Sequence, residues 1–186
     1  AGGSRGRKAY LRKRGIDKKY DYDVGLYDKH HTIMRNKETG EVVMSIRGTQ
    51  DFDDVGTDVA LAVGLEKHTK RFKQAEKKLL AVKEKYGEDV TLTSHSLGGS
   101  ISQWLAHKHD NITSHQFNAG ASVSHVQDSI FSQIKQEDPT NSKIVNYSTA
   151  ADPISWLTRS GSTNTEFVHV PSSGLNVHSM TNFLVD

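Results

Sequence analysis

The stretch that most constrains this chain is Val90-Thr91-Leu92-Thr93-Ser94-His95-Ser96-Leu97-Gly98-Gly99. Val90 to Thr93 is alternating and rich in β-branched residues, the pattern of a short buried strand. After the two glycines, Ser100 to Lys108 places Ile101, Trp104 and Leu105 on one helical face. A strand that turns at once into a helix through a serine flanked by small residues has the pattern of a nucleophile elbow. The turn strains the serine backbone, and strand and helix approach closely enough to exclude large side chains two residues to either side. Ser94 and Gly98 meet that limit. The helix N-terminus then brings free N–H groups and a positive dipole to Ser96, where an oxyanion would form. The plainer alternative is a Gly-Gly turn that happens to contain serines.

A chain of 186 residues has the length of one domain with a core of its own. At 34% hydrophobic, 25% charged and a mean hydropathy of −0.61, its composition is that of a soluble globular protein. No run approaches the about 18 apolar residues that span a bilayer, and no signal peptide is visible. Localisation therefore stays open; a chain that begins at Ala1 is expected to be processed, trimmed or cut from something longer. Cysteine is absent, which removes disulfides, thiolate catalysis and cysteine metal sites.

Net charge is only +2, but it is unevenly spread. Residues 1–19 form a basic segment in which Arg5, Arg7, Lys8, Arg12, Lys13, Arg14, Lys18 and Lys19 face a single acid, Asp17. Its Gly-rich start is expected to be flexible. A solvated linker accounts for this segment more simply than attraction to anionic lipid or nucleic acid. Residues 20–186 form the single folded domain.

Along that domain, His31 to Arg35 and Glu41 to Ile46 flank Asn36–Gly40 as a hairpin. Glu66 to Tyr86 is helical: Leu65, Phe72, Leu79 and Tyr86 recur every seven residues, with Ala75 and Val82 between them. Its lysines make a solvated face, and Gly87 is the C-cap. Further strands are expected at Ile112–Phe117, Lys143–Ser148 and Glu166–Val170, with a helix through Val123 to Ile134. The fold class is therefore α/β: a mostly parallel sheet after an N-terminal hairpin, with helices on both faces.

A hydroxyl nucleophile needs a histidine to take its proton and an acid to orient that histidine. Ser96, Asp152 and His178 fall in the chain order of α/β-hydrolases. Asp152 follows a strand that Pro153 stops, and His178 lies in a loop after the last strand. Other candidates are weaker. His169 sits on a strand, and the side chain of His95 would point away from the base position. Asp128 and Asp138 flank a helix rather than ending a strand. His107 and His109 do not share a helix face, and His30 and His31 alternate across a strand, so zinc is not expected at either pair. The acidic run Asp51 to Asp58 fails as an EF-hand, because Val55 occupies a ligand position and Ala62 stands where the bidentate Glu belongs.

Taken together, these segments resemble the class 3 (fungal lipase-like) α/β-hydrolases from about Tyr27 onward. Arg47-Gly48-Thr49 is similar to the family's oxyanion segment, and Asp54 and Asp58-Val59 follow at the usual offsets, with Val55 where tryptophan is expected. Ser94-His95-Ser96-Leu97-Gly98-Gly99 is similar to Gly-His-Ser-Leu-Gly-Gly, save for Ser94. Asp152-Pro153-Ile154 resembles Asp-Pro-Val, and His178 the C-terminal histidine. The resemblance implies an ester hydrolase with Ser96, Asp152 and His178 as its triad, Thr49 and Leu97 as oxyanion donors, and no metal or cofactor. It also implies a lipid or other ester substrate, triacylglycerol or phospholipid among them, and a lid between Val59 and His68. The apolar run Ala60 to Leu65 beside Lys67, Lys70, Arg71 and Lys73 would suit transient contact with an anionic membrane surface. It would equally suit the start of a buried helix. The departures at Ser94 and Val55 support a different expectation, a catalytically silent lipase-fold module that binds anionic lipid or nucleic acid through its basic N-terminus. A thioesterase or peptidase would use the same triad.

Overall fold

The computed structural model describes residues 4–48, 65–119, 141–149, 165–171 and 183. Helix α1 spans Ser4–Lys13 and leads through a 3₁₀ turn, Ile16–Lys18, into a seven-stranded sheet. The strands are β1 (Tyr20–Tyr22), β2 (His31–Asn36), β3 (Val42–Ile46), β4 (Val90–Ser96), β5 (Ile112–Ala119), β6 (Lys143–Thr149) and β7 (Thr165–Val170). They stand side by side in chain order. β1, β2 and β3 pair antiparallel, and β3 through β7 pair parallel.

The β2–β3 hairpin forms where the sequence calls for it. The Asn36 carboxamide oxygen accepts the N–H groups of Glu38 (2.9 Å) and Thr39 (3.1 Å). Gly40 closes the loop at φ 76°, a conformation that favours glycine. The mostly parallel expectation for the rest of the sheet holds as well.

Helix α2 (Leu65–Tyr86) joins β3 to β4, and α3 (Leu97–Lys108) joins β4 to β5. Both connections step the same way along the sheet, so right-handed crossovers place both helices on one face. There Phe72, Ala75, Leu79 and Val82 of α2 and Ile101, Trp104 and Leu105 of α3 bury against Ile33, Met44, Ile46 and Leu92. The Phe72 and Trp104 rings meet edge to face, 5.4 Å between centroids. Gly87 ends α2 at φ 107°, its N–H donating to the Lys83 carbonyl at 2.8 Å.

Three features go beyond the reading of the sequence. Helix α3 is buried well beyond the face of Ile101, Trp104 and Leu105: Leu97 through Ala106 are all buried, because Gly98, Gly99, Ser100 and Ser102 let it sink against the sheet. The lysine face of α2 is not simply solvated. Lys78 donates to the Leu26 carbonyl (2.8 Å) and pairs with Asp28 (3.2 Å), Lys83 donates to the Asp110 carbonyl (2.8 Å), and Lys85 pairs with Asp23 (2.6 Å). The basic N-terminal segment contains a helix, α1, whose Leu11 is buried. The helix expected at 123–134 and the segment of the expected lid, up to Gly64, lie outside the described residues.

With parallel strands from β3 onward and the connecting helices α2 and α3 packed against them, the architecture is of the α/β-hydrolase type. The carboxyl ends of β3, β4, β6 and β7 share one edge of the sheet, the edge where such folds bind ligands.

Candidate functional site

At that edge β4 ends on Ser96, and α3 begins at the next residue. Ser96 has φ 56° and ψ −127°, a backbone that an L-residue adopts only where its surroundings enforce it. The β4–β5 register also shifts between His95 and Ser96. The serine is 2% exposed, held at the N-terminus of α3, where the first N–H groups of the helix have no carbonyl of their own.

Three glycines explain how a chain makes this turn. A Cβ on Gly98 would run into the Ile46 carbonyl oxygen, and one on Gly99 would stand 2.6 Å from the Ala119 Cβ. The N-terminus of α3 therefore sits directly on the ends of β3 and β5. Gly48, just beyond β3, is the third. A Cβ there would lie 2.8 Å from the His95 carbonyl oxygen, 3.2 Å from the Ser96 Cβ and 3.6 Å from the Leu97 nitrogen. The Arg47-Gly48 backbone is thus brought against the serine turn. The Arg71 guanidinium, reaching from α2, donates to the Arg47 carbonyl and anchors this segment from the other side.

Ser94 tests the size limit two residues before the turn. It is buried at 4%, and its hydroxyl has no hydrogen-bond partner among the described residues. A serine fits there sterically while leaving a polar atom unsatisfied.

His95 alternates to the opposite face of the sheet and lines a cavity there, as its strand position requires. His31 is buried, and its Nδ1 lies 2.9 Å from the Asp28 carboxylate. Burial lowers its pKa despite that carboxylate. His109 Nε2 meets Glu76 at 2.8 Å, tying α3 to α2, and the Ser148 hydroxyl lies 3.3 Å from His169 Nδ1. Among the described residues no cluster of three or more His, Asp or Glu side chains could hold a metal ion.

Of the sequence-derived site residues, Ser96 and Leu97 are described, and they occupy the turn. Thr49, Asp152 and His178 lie outside the described residues, as do Asp54, Asp58, Asp128 and Asp138. The strand preceding Asp152 is ordered in a way the sequence did not reveal. Asn118, fully buried at the end of β5 with φ 41°, accepts the Thr149 backbone N–H at 3.0 Å through its side-chain oxygen. That bond fixes the last residue of β6. The one available signal was an Asn at a strand end, since Asn tolerates positive φ.

A mostly parallel α/β sheet with a strained serine at a strand–helix turn defines a hydrolase-type scaffold. The match is more specific than that: residues 10–183 fit the phospholipase-like family model described as the Tle-like phospholipase domain, and the chain belongs to this family. This places it among lipid-hydrolysing, phospholipase-like proteins. The match does not extend to the fungal class 3 lipases in particular. Comparison with curated proteins gave no match.

Proposed function

We propose that the protein is a serine hydrolase of lipid carboxylic esters, acting as a phospholipase A1-like or triacylglycerol lipase-like enzyme of the class 3 type. The observation that carries the reading is the strained backbone of Ser96 at the N-terminus of α3, with Gly48 packed against it. Membership of a phospholipase-like family supports the lipid substrate.

In this reading Ser96 Oγ attacks the ester carbonyl while His178 takes its proton, and Asp152 stabilises the resulting imidazolium. The backbone N–H groups of Leu97 and Thr49 receive the oxyanion. Leu97 is suited to this because its N–H belongs to the unpaired first turn of a helix, and Thr49 because it directly follows Gly48. His178 then gives the proton to the leaving alkoxide, and water repeats the sequence to release the fatty acid. The proposed chemistry needs no cofactor or metal. Transient contact with a membrane surface, through the apolar run 60–65 and its neighbouring lysines, would deliver the substrate.

The test is release of fatty acid from phospholipid and triacylglycerol micelles, with p-nitrophenyl esters of rising chain length alongside. Wild-type protein should hydrolyse long-chain esters, and Ser96→Ala should lose about 10⁴-fold or more in rate. Equal rates from both proteins would refute the proposal.

A further inference from the structure

On the face of the sheet opposite α2 and α3 lies a cavity of about 400 Å³. Register explains its position: Thr32, Ser45 and Thr93 stand in one row across β2, β3 and β4, and all point away from the helices. Three cations complete the wall, Arg7 from α1, Lys29 ahead of β2 and Arg47 at the end of β3. Among the described residues no carboxylate lines it, and none pairs with Arg7, Lys29 or Arg47. The nearby Asp28 is engaged by His31 and Lys78.

The His30 imidazole, also in the wall, is held down to about 4, first by burial and then by the positive fields of Arg71 and Lys29. At neutral pH it is an uncharged ring beside three cations. The cavity also reaches Gly48, the residue that abuts Ser96.

We propose that this cavity is a phosphate subsite, in which Arg7, Lys29 and Arg47, with the hydroxyls of Thr32, Ser45 and Thr93, hold the headgroup phosphate of the lipid whose ester faces Ser96. The inference rests on Ser96 being the nucleophile, and it deepens that reading by selecting phosphate-bearing lipids over neutral ones. Guanidinium groups recognise phosphate oxygens in pairs, and the hydroxyls supply further donors. A glycerophosphate is small enough for the volume. Its glycerol carbons would then lead past Gly48 toward the serine.

The experiment compares phosphatidylglycerol with diacylglycerol of the same acyl chains, each in detergent micelles, for wild type, Arg7→Gln/Lys29→Gln and a charge control, Lys13→Gln/Lys18→Gln. Titration calorimetry with glycerol 3-phosphate and with inorganic phosphate runs in parallel. The Arg7/Lys29 variant should lower the phospholipid-to-diacylglycerol ratio of kcat/KM about tenfold, a value discounted for partly solvated contacts. It should also lose glycerol 3-phosphate binding, while the control keeps the wild-type ratio and binding. An unchanged ratio in an active enzyme, or equal loss in the control, overturns the subsite. Binding of both phosphates without any change in ratio makes the cavity a free-phosphate site and overturns the headgroup role. If wild type hydrolyses no ester but loses glycerol 3-phosphate binding on Arg7→Gln/Lys29→Gln, the phosphate site stands and the hydrolase reading falls.

Discussion

Gly48 and Ser96 are in contact across two strands: a side chain on the glycine would begin 3.2 Å from the Cβ of the serine and 2.8 Å from the carbonyl oxygen of His95. The segment after β3 and the turn after β4 are therefore one structural unit. What enters at Gly48 must displace the backbone on which the serine is presented.

Gly48→Ala is accordingly expected to reduce ester hydrolysis by about 10²-fold or more, the scale of losing one oxyanion donor. The fall should appear in kcat rather than KM, because both donors follow the displaced backbone. Steady-state kinetics on a p-nitrophenyl ester, beside a thermal melt to show that the protein is folded, checks this.

Gly98→Ala and Gly99→Ala act on stability as well. The added methyl meets the Ile46 carbonyl oxygen in one case and Ala119 in the other, both backbone-fixed. Each change should cost about 1–3 kcal/mol, read as a lowered urea midpoint at an unchanged slope.

Ser94→Ala moves in the opposite direction. It removes a buried hydroxyl that has no partner among the described residues and leaves the methylene packing intact. Removing the unsatisfied group should stabilise the fold by about 1 kcal/mol, equivalent to a rise of roughly 2–4 °C in Tm for a domain of this size.

Acid should weaken the join between the N-terminal hairpin and α2. Burial alone would raise the Asp23 pKa. Hydrogen bonds from Lys85, Tyr86 and the Leu26 N–H outweigh it and hold the carboxyl down at about 2, against an ordinary 3.8. Asp28 is likewise held at about 2 by His31, the His30 N–H and Lys78. A depressed folded-state pKa means stability fully present above about pH 4 and lost as pH falls toward 2. Denaturation followed between pH 5 and pH 2 should show this loss, with a shallower slope in Asp23→Asn/Asp28→Asn.

Much of this arrangement is legible in the sequence, because it is written in local patterns. The Val90–Gly99 stretch carries strand, turn and helix start in ten residues, and the heptad of Phe72, Leu79 and Tyr86 carries the buried stripe of α2. Features assembled from distant segments are not legible in that way. Asn118 is an ordinary polar residue until β5 and β6 stand side by side and its side chain finds Thr149. The cationic cavity draws its wall from α1, from the segment before β2, and from strands β2 to β5, whose alternating polar residues look like plain solvent-facing positions one strand at a time. Lys78, Lys83 and Lys85 look like a solvated helix face for the same reason, since their partners Asp28, Asp110 and Asp23 are remote in the chain. Helix α1 has few apolar residues to mark it, and Leu11 is the one that buries.

The central claim is that Ser96 is the nucleophile, and covalent labelling tests it most directly. The protein is treated with a long-chain alkyl fluorophosphonate, digested, and its peptides are weighed by mass spectrometry. One adduct is predicted, on the peptide that carries Ser96, forming in step with loss of esterase activity and absent from Ser96→Ala. An active protein labelled at another residue, or inactivated with Ser96 unmodified, would contradict the account.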